Sequence, residues 1–137
     1  MKTRVVLDTN VYISAILFGG RPGEVFLLAK EGEYELFVST ALIAELASTL
    51  TVKFRWPVDR VTEVVREIGE VATVVRPKKK MSVIERDEDD NRVIECAVLT
   101  KANFIVSGDR KHLLSMKQYG CIQIVSVTHF LKKLRKP

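Results

Sequence analysis

Asp8, Glu45, Asp90 and Asp109 are the residues of this sequence best placed to do chemistry. Asp8 follows the apolar run Val5-Val6-Leu7, and Asp109 follows Phe104-Ile105-Val106-Ser107-Gly108. Each aspartate therefore reads as the residue leaving the C-terminal end of a buried strand. Asp90 stands in front of a helix whose apolar positions are Val93, Ile94, Ala97 and Val98, the place of an N-cap. Glu45 lies inside the helical stretch Ser39-Thr40-Ala41-Leu42-Ile43-Ala44-Glu45-Leu46. At about 100° per residue it falls roughly 60° outside the stripe Leu42, Ile43, Leu46, Ala47 and Leu50, so it borders the core. Carboxylates gathered at one rim repel each other unless a cation sits between them. An all-oxygen set suits the hard cations Mg²⁺ and Mn²⁺. A cation held in that way polarises a phosphoryl oxygen, acidifies an attacking water and stabilises the leaving oxyanion, which is the chemistry of phosphodiester hydrolysis.

The elements that must position these acids follow from periodicity. Val5–Leu7, Leu36–Val38, Thr73–Val75, Phe104–Val106 and Ile122–Val125 read as strands. Val11–Phe18, Glu24–Lys30, Thr40–Leu50, Asp59–Val71, Arg92–Lys101, Lys111–Tyr119 and Thr128–Leu134 read as helices, with turn signals at Gly19-Gly20, Gly32, Pro57, Pro77 and Gly120. The alternation predicts an α/β fold of three layers, α/β/α, around a mainly parallel sheet of about five strands. Ligands of such a sheet bind outside the C-terminal ends of its strands, which is where Asp8 and Asp109 emerge. There is no internal repeat, and Arg76 to Asp89 is the one stretch without a periodic pattern.

With 137 residues, 47% hydrophobic and 28% charged, the chain suits one globular domain, 1–137, able to build a core without staples. No apolar run reaches the roughly 20 residues of a membrane span, and no signal peptide opens it, so a cytoplasmic protein with no membrane partner is expected. Cys96 and Cys121 have no ligand or disulfide spacing and read as free thiols. The net charge of +5 concentrates at Lys78-Lys79-Lys80 and in the C-terminal run Lys132, Lys133, Arg135 and Lys136. A basic balance favours a polyanionic partner, and it equally suits two solvated charge runs. Lys78, Lys79, Lys80 and Arg110 are the candidate contacts to the phosphates of such a polyanion.

The segments VVLDTNVYISAI, STALIAEL, DEDDNRVIECAV and FIVSGDRKHLL resemble, in the same order, the four acidic segments of PIN-domain ribonucleases. The resemblance runs from Val5 to about Val127. The short length makes it closest to the VapC-like toxin of prokaryotic toxin–antitoxin pairs. It implies a PIN-like fold, a Mg²⁺- or Mn²⁺-dependent ribonuclease acting on RNA, and Asp8, Glu45, Asp90 and Asp109 as metal-binding, catalytic acids. It further implies supporting polar roles for Asn10, Ser39 and Ser107, a homodimer, and an antitoxin protein covering the acidic groove. The third segment offers Asp87, Glu88, Asp89 and Asp90. The apolar register selects Asp90, with Asp89 and Asp87 as alternatives.

Two other classes compete. A haloacid-dehalogenase-type phosphatase also uses an aspartate after its first strand, but its motif carries a second aspartate two residues on, where this chain has Asn10. A non-catalytic RNA-binding module would use the lysine runs and the acidic rim only for docking. His112 and His129 have no ligand-spaced partner; His112 reads as a surface or packing residue and His129 as a partly buried residue of the last helix. Trp56 in Phe54-Arg55-Trp56-Pro57 reads chiefly as packing at a helix boundary, with base stacking as the other possibility.

Overall fold

The computed structural model describes residues 2–78, 88–108 and 113–135, and of residues 88 and 89 the backbone alone. The described residues form β1 (Arg4–Leu7), α1 (Thr9–Phe18), α2 (Gly20–Lys30), β2 (Glu35–Ser39), α3 (Thr40–Ser48), α4 (Val58–Val71), β3 (Thr73–Val75), α5 (Glu88–Thr100), β4 (Phe104–Val106), α6 (Leu113–Met116), β5 (Gln118–Tyr119), β6 (Ile122–Val125) and α7 (Val127–Arg135). A π-helical turn, Thr49–Lys53, continues α3.

The strands make one six-stranded sheet in the order β3-β2-β1-β4-β6-β5, parallel except for the β5–β6 pair. With helices on both faces this is the three-layer architecture expected. β1 is central. Its residues Val5, Val6 and Leu7 are fully buried, as a parallel strand covered on both faces requires. From β1 the chain builds outward through β2 and β3, then returns across the sheet to β4 on the other side of β1. The gap between the C-terminal ends of β1 and β4 is therefore the topological switch point, the place where such sheets open a crevice.

Local sequence explains the elements that carry the site. In α3 the residues Leu42 and Leu46 are buried, and Leu50 extends the same stripe into the π turn. Ser39, the last residue of β2, caps this helix: its hydroxyl accepts from the Leu42 amide at 3.1 Å. α5 packs against β1, β2, β4 and α3, and buries Val93, Ile94, Cys96 and Ala97 completely. Gly19 and Gly20 both take positive φ, 67° and 55°, at the corner where α2 bends away from α1 by 106°.

Several expectations need correction. The sheet has six strands rather than five: Gln118–Tyr119 is a strand, not the end of a helix, and it turns back onto β6 through Gly120 at φ 59°. α2 starts at Gly20 rather than Glu24, since Pro22 fits the first turn of a helix, where amides lack partners in any case. α3 ends at Ser48, and the π turn takes up the residues after it. α5 starts at Glu88, which places Asp90 inside the first turn and not at the N-cap. Val98 is 40% exposed and does not face the core. Glu95 and Asn91, on its own face one and two turns earlier, are buried, so the cover over that face stops before Val98. His129 is exposed rather than partly buried. Trp56 packs against the core just before α4, and both cysteines are free. No single helix among the described residues is long and apolar enough to cross a membrane.

Candidate active site at the end of the central strand

Asp8 ends β1 at the switch point, with only 4% of its surface exposed. Its amide donates to the Val106 carbonyl at 2.9 Å, tying the residue to the last position of β4. Although Asp8 occupies the N-cap position of α1, its carboxylate makes no capping bond. Instead Oδ2 accepts from the hydroxyl of Ser107, which is fully buried, at 2.9 Å. Two strand ends thus fix the orientation of one carboxylate, and the positive end of α1 favours its charge.

Glu45 reaches the same place from α3. The connection is Thr9, 3% exposed, whose Oγ1 donates to Glu45 Oε1 at 2.9 Å and lies 3.4 Å from Asp8 Oδ1. A threonine hydroxyl has one proton to give, so the short contact to Glu45 is the bond and the longer one is a weak leg. The result is a hydroxyl wedged between two carboxylates on different elements. Thr9 was not among the residues singled out in the sequence. The signal available was its place between Asp8 and Asn10, on the first helical position after a strand that ends in an acid.

Asp90 lies in the first turn of α5, buried at 5% exposure, beside the buried Asn91. One turn further on, Glu95 is also 5% exposed and pairs with Arg92 at 2.7 Å, so this inward carboxylate has a cation on its own helix. Ser39 caps α3, Asn10 is exposed on the first turn of α1, and Lys78 is exposed beyond β3. Asp109, Arg110, Lys79, Lys80, Asp87 and His112 lie outside the described residues.

The donor chemistry, buried carboxylates with hydroxyl support, is that of a hard divalent cation site. Asp8 and Glu45 are drawn together. Among the described residues, however, no group of three or more His, Cys, Asp or Glu side chains is placed to hold a metal ion.

A model of the PIN domain matches residues 4–111. The chain belongs to the PIN-domain family. PIN domains are generally nucleases, so the acids at the switch point lie in a nuclease fold. The uncharacterised protein MJ1680 of Methanocaldococcus jannaschii is 32% identical over 122 residues, which cover 85% of this chain and 77% of that protein. Among solved structures, VapBC2 of Rickettsia felis, bound to a DNA fragment from its promoter, superposes with a TM-score of 0.66 at 14% identity, covering 90% of this chain and 98% of the other. PAE2754 of Pyrobaculum aerophilum gives a TM-score of 0.63 at 15% identity, over 97% and 89% of the two chains. At these identities the two structures are evidence of shared fold.

Proposed function

We propose that this PIN-domain protein is a divalent-metal-dependent endoribonuclease that hydrolyses RNA phosphodiester bonds in the cytoplasm as the toxin of a toxin–antitoxin pair. The observation that carries the reading is the Asp8–Thr9–Glu45 arrangement at the switch point, two carboxylates held at one hydroxyl and braced by Ser107. The residues to hold Mg²⁺ or Mn²⁺ are Asp8 and Glu45, with Asp90 and Asp109 completing the set. When bound there, such a cation supplies the charge that polarises the phosphoryl oxygen and acidifies the attacking water. Ser107 keeps the Asp8 carboxylate turned to the rim, and Thr9 holds Glu45 beside it, so little reorganisation remains to be done at the moment of reaction.

The fold shared with VapBC2 supports an antitoxin partner. A groove of about 300 Å³ between α1, α2 and α4, lined by Tyr12, Ile16, Phe26, Leu27, Val64 and Ile68 together with the ion pair Lys30–Glu67, is a mainly apolar surface on which a helix of that partner can dock. We propose a homodimer on the family resemblance alone.

The test is incubation of single-stranded and structured RNAs with the protein in Mg²⁺, Mn²⁺ or EDTA. Cleavage should need the cation and should collapse in Asp8→Asn, which keeps the shape and removes the charge. Undiminished cleavage by a folded Asp8→Asn protein would sink the mechanism. A second reading, a non-catalytic RNA-binding PIN module, is favoured because no group of three or more His, Cys, Asp or Glu side chains among the described residues is placed to hold a metal ion. RNA binding without cleavage under any cation would select it.

A further inference from the structure

The segment Lys53–Arg60 combines features that the acidic site does not use. Lys53, Arg55 and Arg60 are exposed, against one carboxylate, Asp59. Phe54 and Trp56 each pack one side against the core and carry a cation on the ring: Lys53 Nζ lies 5.7 Å from the Phe54 centroid and Arg60 Cζ lies 4.0 Å from that of Trp56. The backbone between them is strained. The π turn Thr49–Lys53 precedes it, and Arg55 takes a left-handed φ of 55°, a conformation that side chains other than glycine rarely adopt. The Trp56 amide closes the loop by donating to the Leu50 carbonyl at 3.0 Å. From Glu45 to Lys53 the helix and its π turn advance roughly 10–12 Å.

We infer that Lys53, Arg55, Trp56 and Arg60 form a docking platform for single-stranded RNA, separate from the acidic site; this rests on the reading of the protein as an RNA nuclease. The chemistry fits an unpaired strand. A guanidinium held 4.0 Å over an indole offers a cationic group on which a base stacks, while the flanking cations meet phosphates. Paired bases offer no free face to such a surface. The platform holds a strand a short distance from Glu45, and base stacking makes it tolerant of sequence.

Trp56 is the one tryptophan in the chain, so its emission reports on this platform alone. The probe is a 12-nucleotide oligouridylate, titrated in EDTA so that it stays intact. Anisotropy of an end-labelled strand records binding anywhere, and Trp56 emission with unlabelled strand records binding here. Quenching should saturate with the anisotropy. The triple variant Lys53→Gln, Arg55→Gln, Arg60→Gln, checked for fold by circular dichroism, should bind about tenfold or more weakly at about 0.1 M salt. Its plot of log affinity against log salt should be shallower by about 1.4, since a single strand loses about 0.7 for each of the two phosphate contacts, of Lys53 and Arg55. Binding with silent Trp56 emission overturns this inference and leaves the proposed function standing. No binding by either signal overturns both and leaves the surface, with its exposed Val52 and Val58, to a protein partner. A triple variant with wild-type affinity and slope overturns it as well.

Discussion

Replacing Thr9 by valine keeps the branched shape and deletes one hydroxyl, and its effect can be worked from the geometry. Thr9 is 3% exposed, so no bulk water takes the place of the lost group. The bond removed is donated to a carboxylate at 2.9 Å, and hydrogen bonds to charged groups contribute about 1.5–3 kcal/mol. Glu45 is only half-buried, and it recovers part of that by turning toward solvent. A net loss of about 1 kcal/mol remains, which lowers the melting temperature of a domain of this size by about 4 °C. The larger effect is on the cation. Once Glu45 swings away, the site has to gather its ligands before binding, and Mn²⁺ affinity should fall about tenfold, or about 1.4 kcal/mol. Thr9→Ser restores the hydroxyl and should restore the affinity. Thermal melts in EDTA and calorimetric Mn²⁺ titrations of the three proteins measure both quantities. If Thr9→Val melts and binds Mn²⁺ like the wild type, the hydroxyl does not organise the two carboxylates and the reasoning fails.

Among the acids at the start of α5, Asp90→Asn should keep the fold and lose Mn²⁺ binding and cleavage, whereas Asp87→Asn and Glu88→Gln should stay near wild type; weak Mn²⁺ binding in the Asp87 or Asp89 variant and not in Asp90→Asn would show the ligand to be another acid of the four. The Tyr12 hydroxyl is buried and has no hydrogen-bond partner among the described residues, so Tyr12→Phe should leave stability unchanged or raise it by about 1 kcal/mol, and a clear drop in a urea denaturation midpoint would contradict this. Burial pushes the Cys96 thiol up to about 12, and raises the phenols of Tyr12, chiefly by burial with Tyr34 and Cys96 adding, and of Tyr34. The native state thus keeps protons that the unfolded chain releases, so their contribution is complete below about pH 8.5 and stability declines as pH rises from there toward 12; melts between pH 8 and 11 should show the fall, less steep in Cys96→Ala.

Much of this arrangement is legible in the sequence because β-branched runs and a period of 3.6 are strong local signals. Val5-Val6-Leu7 can hardly be anything but a buried strand, and an acid directly after it has to stand at the strand's end. Glu45 was placed at the border of the core by angle alone, and the structure has it half-buried there. What escaped was set by contacts distant in sequence or by elements too short to show a pattern. β5 has two residues and exists because Gln118 and Tyr119 pair with Gln123 and Ile122. The start of α5 was read too late because its apolar positions begin at Val93, while the acids before it favour the first turn by charge rather than hydropathy. Thr9 carries no local signal of its role, since its partner Glu45 lies 36 positions away.

Because Asp8 donates its amide to β4 and follows the fully buried β1, its backbone belongs to the part of the molecule that opens last. The Asp8 amide should then exchange with deuterium only through global unfolding, while the exposed ends of α4 and α7 exchange through local fraying. Asp8 is then held in place for as long as the sheet is folded. On the proposed reading, loss of cation binding at Asp8 should coincide with cooperative unfolding of the sheet.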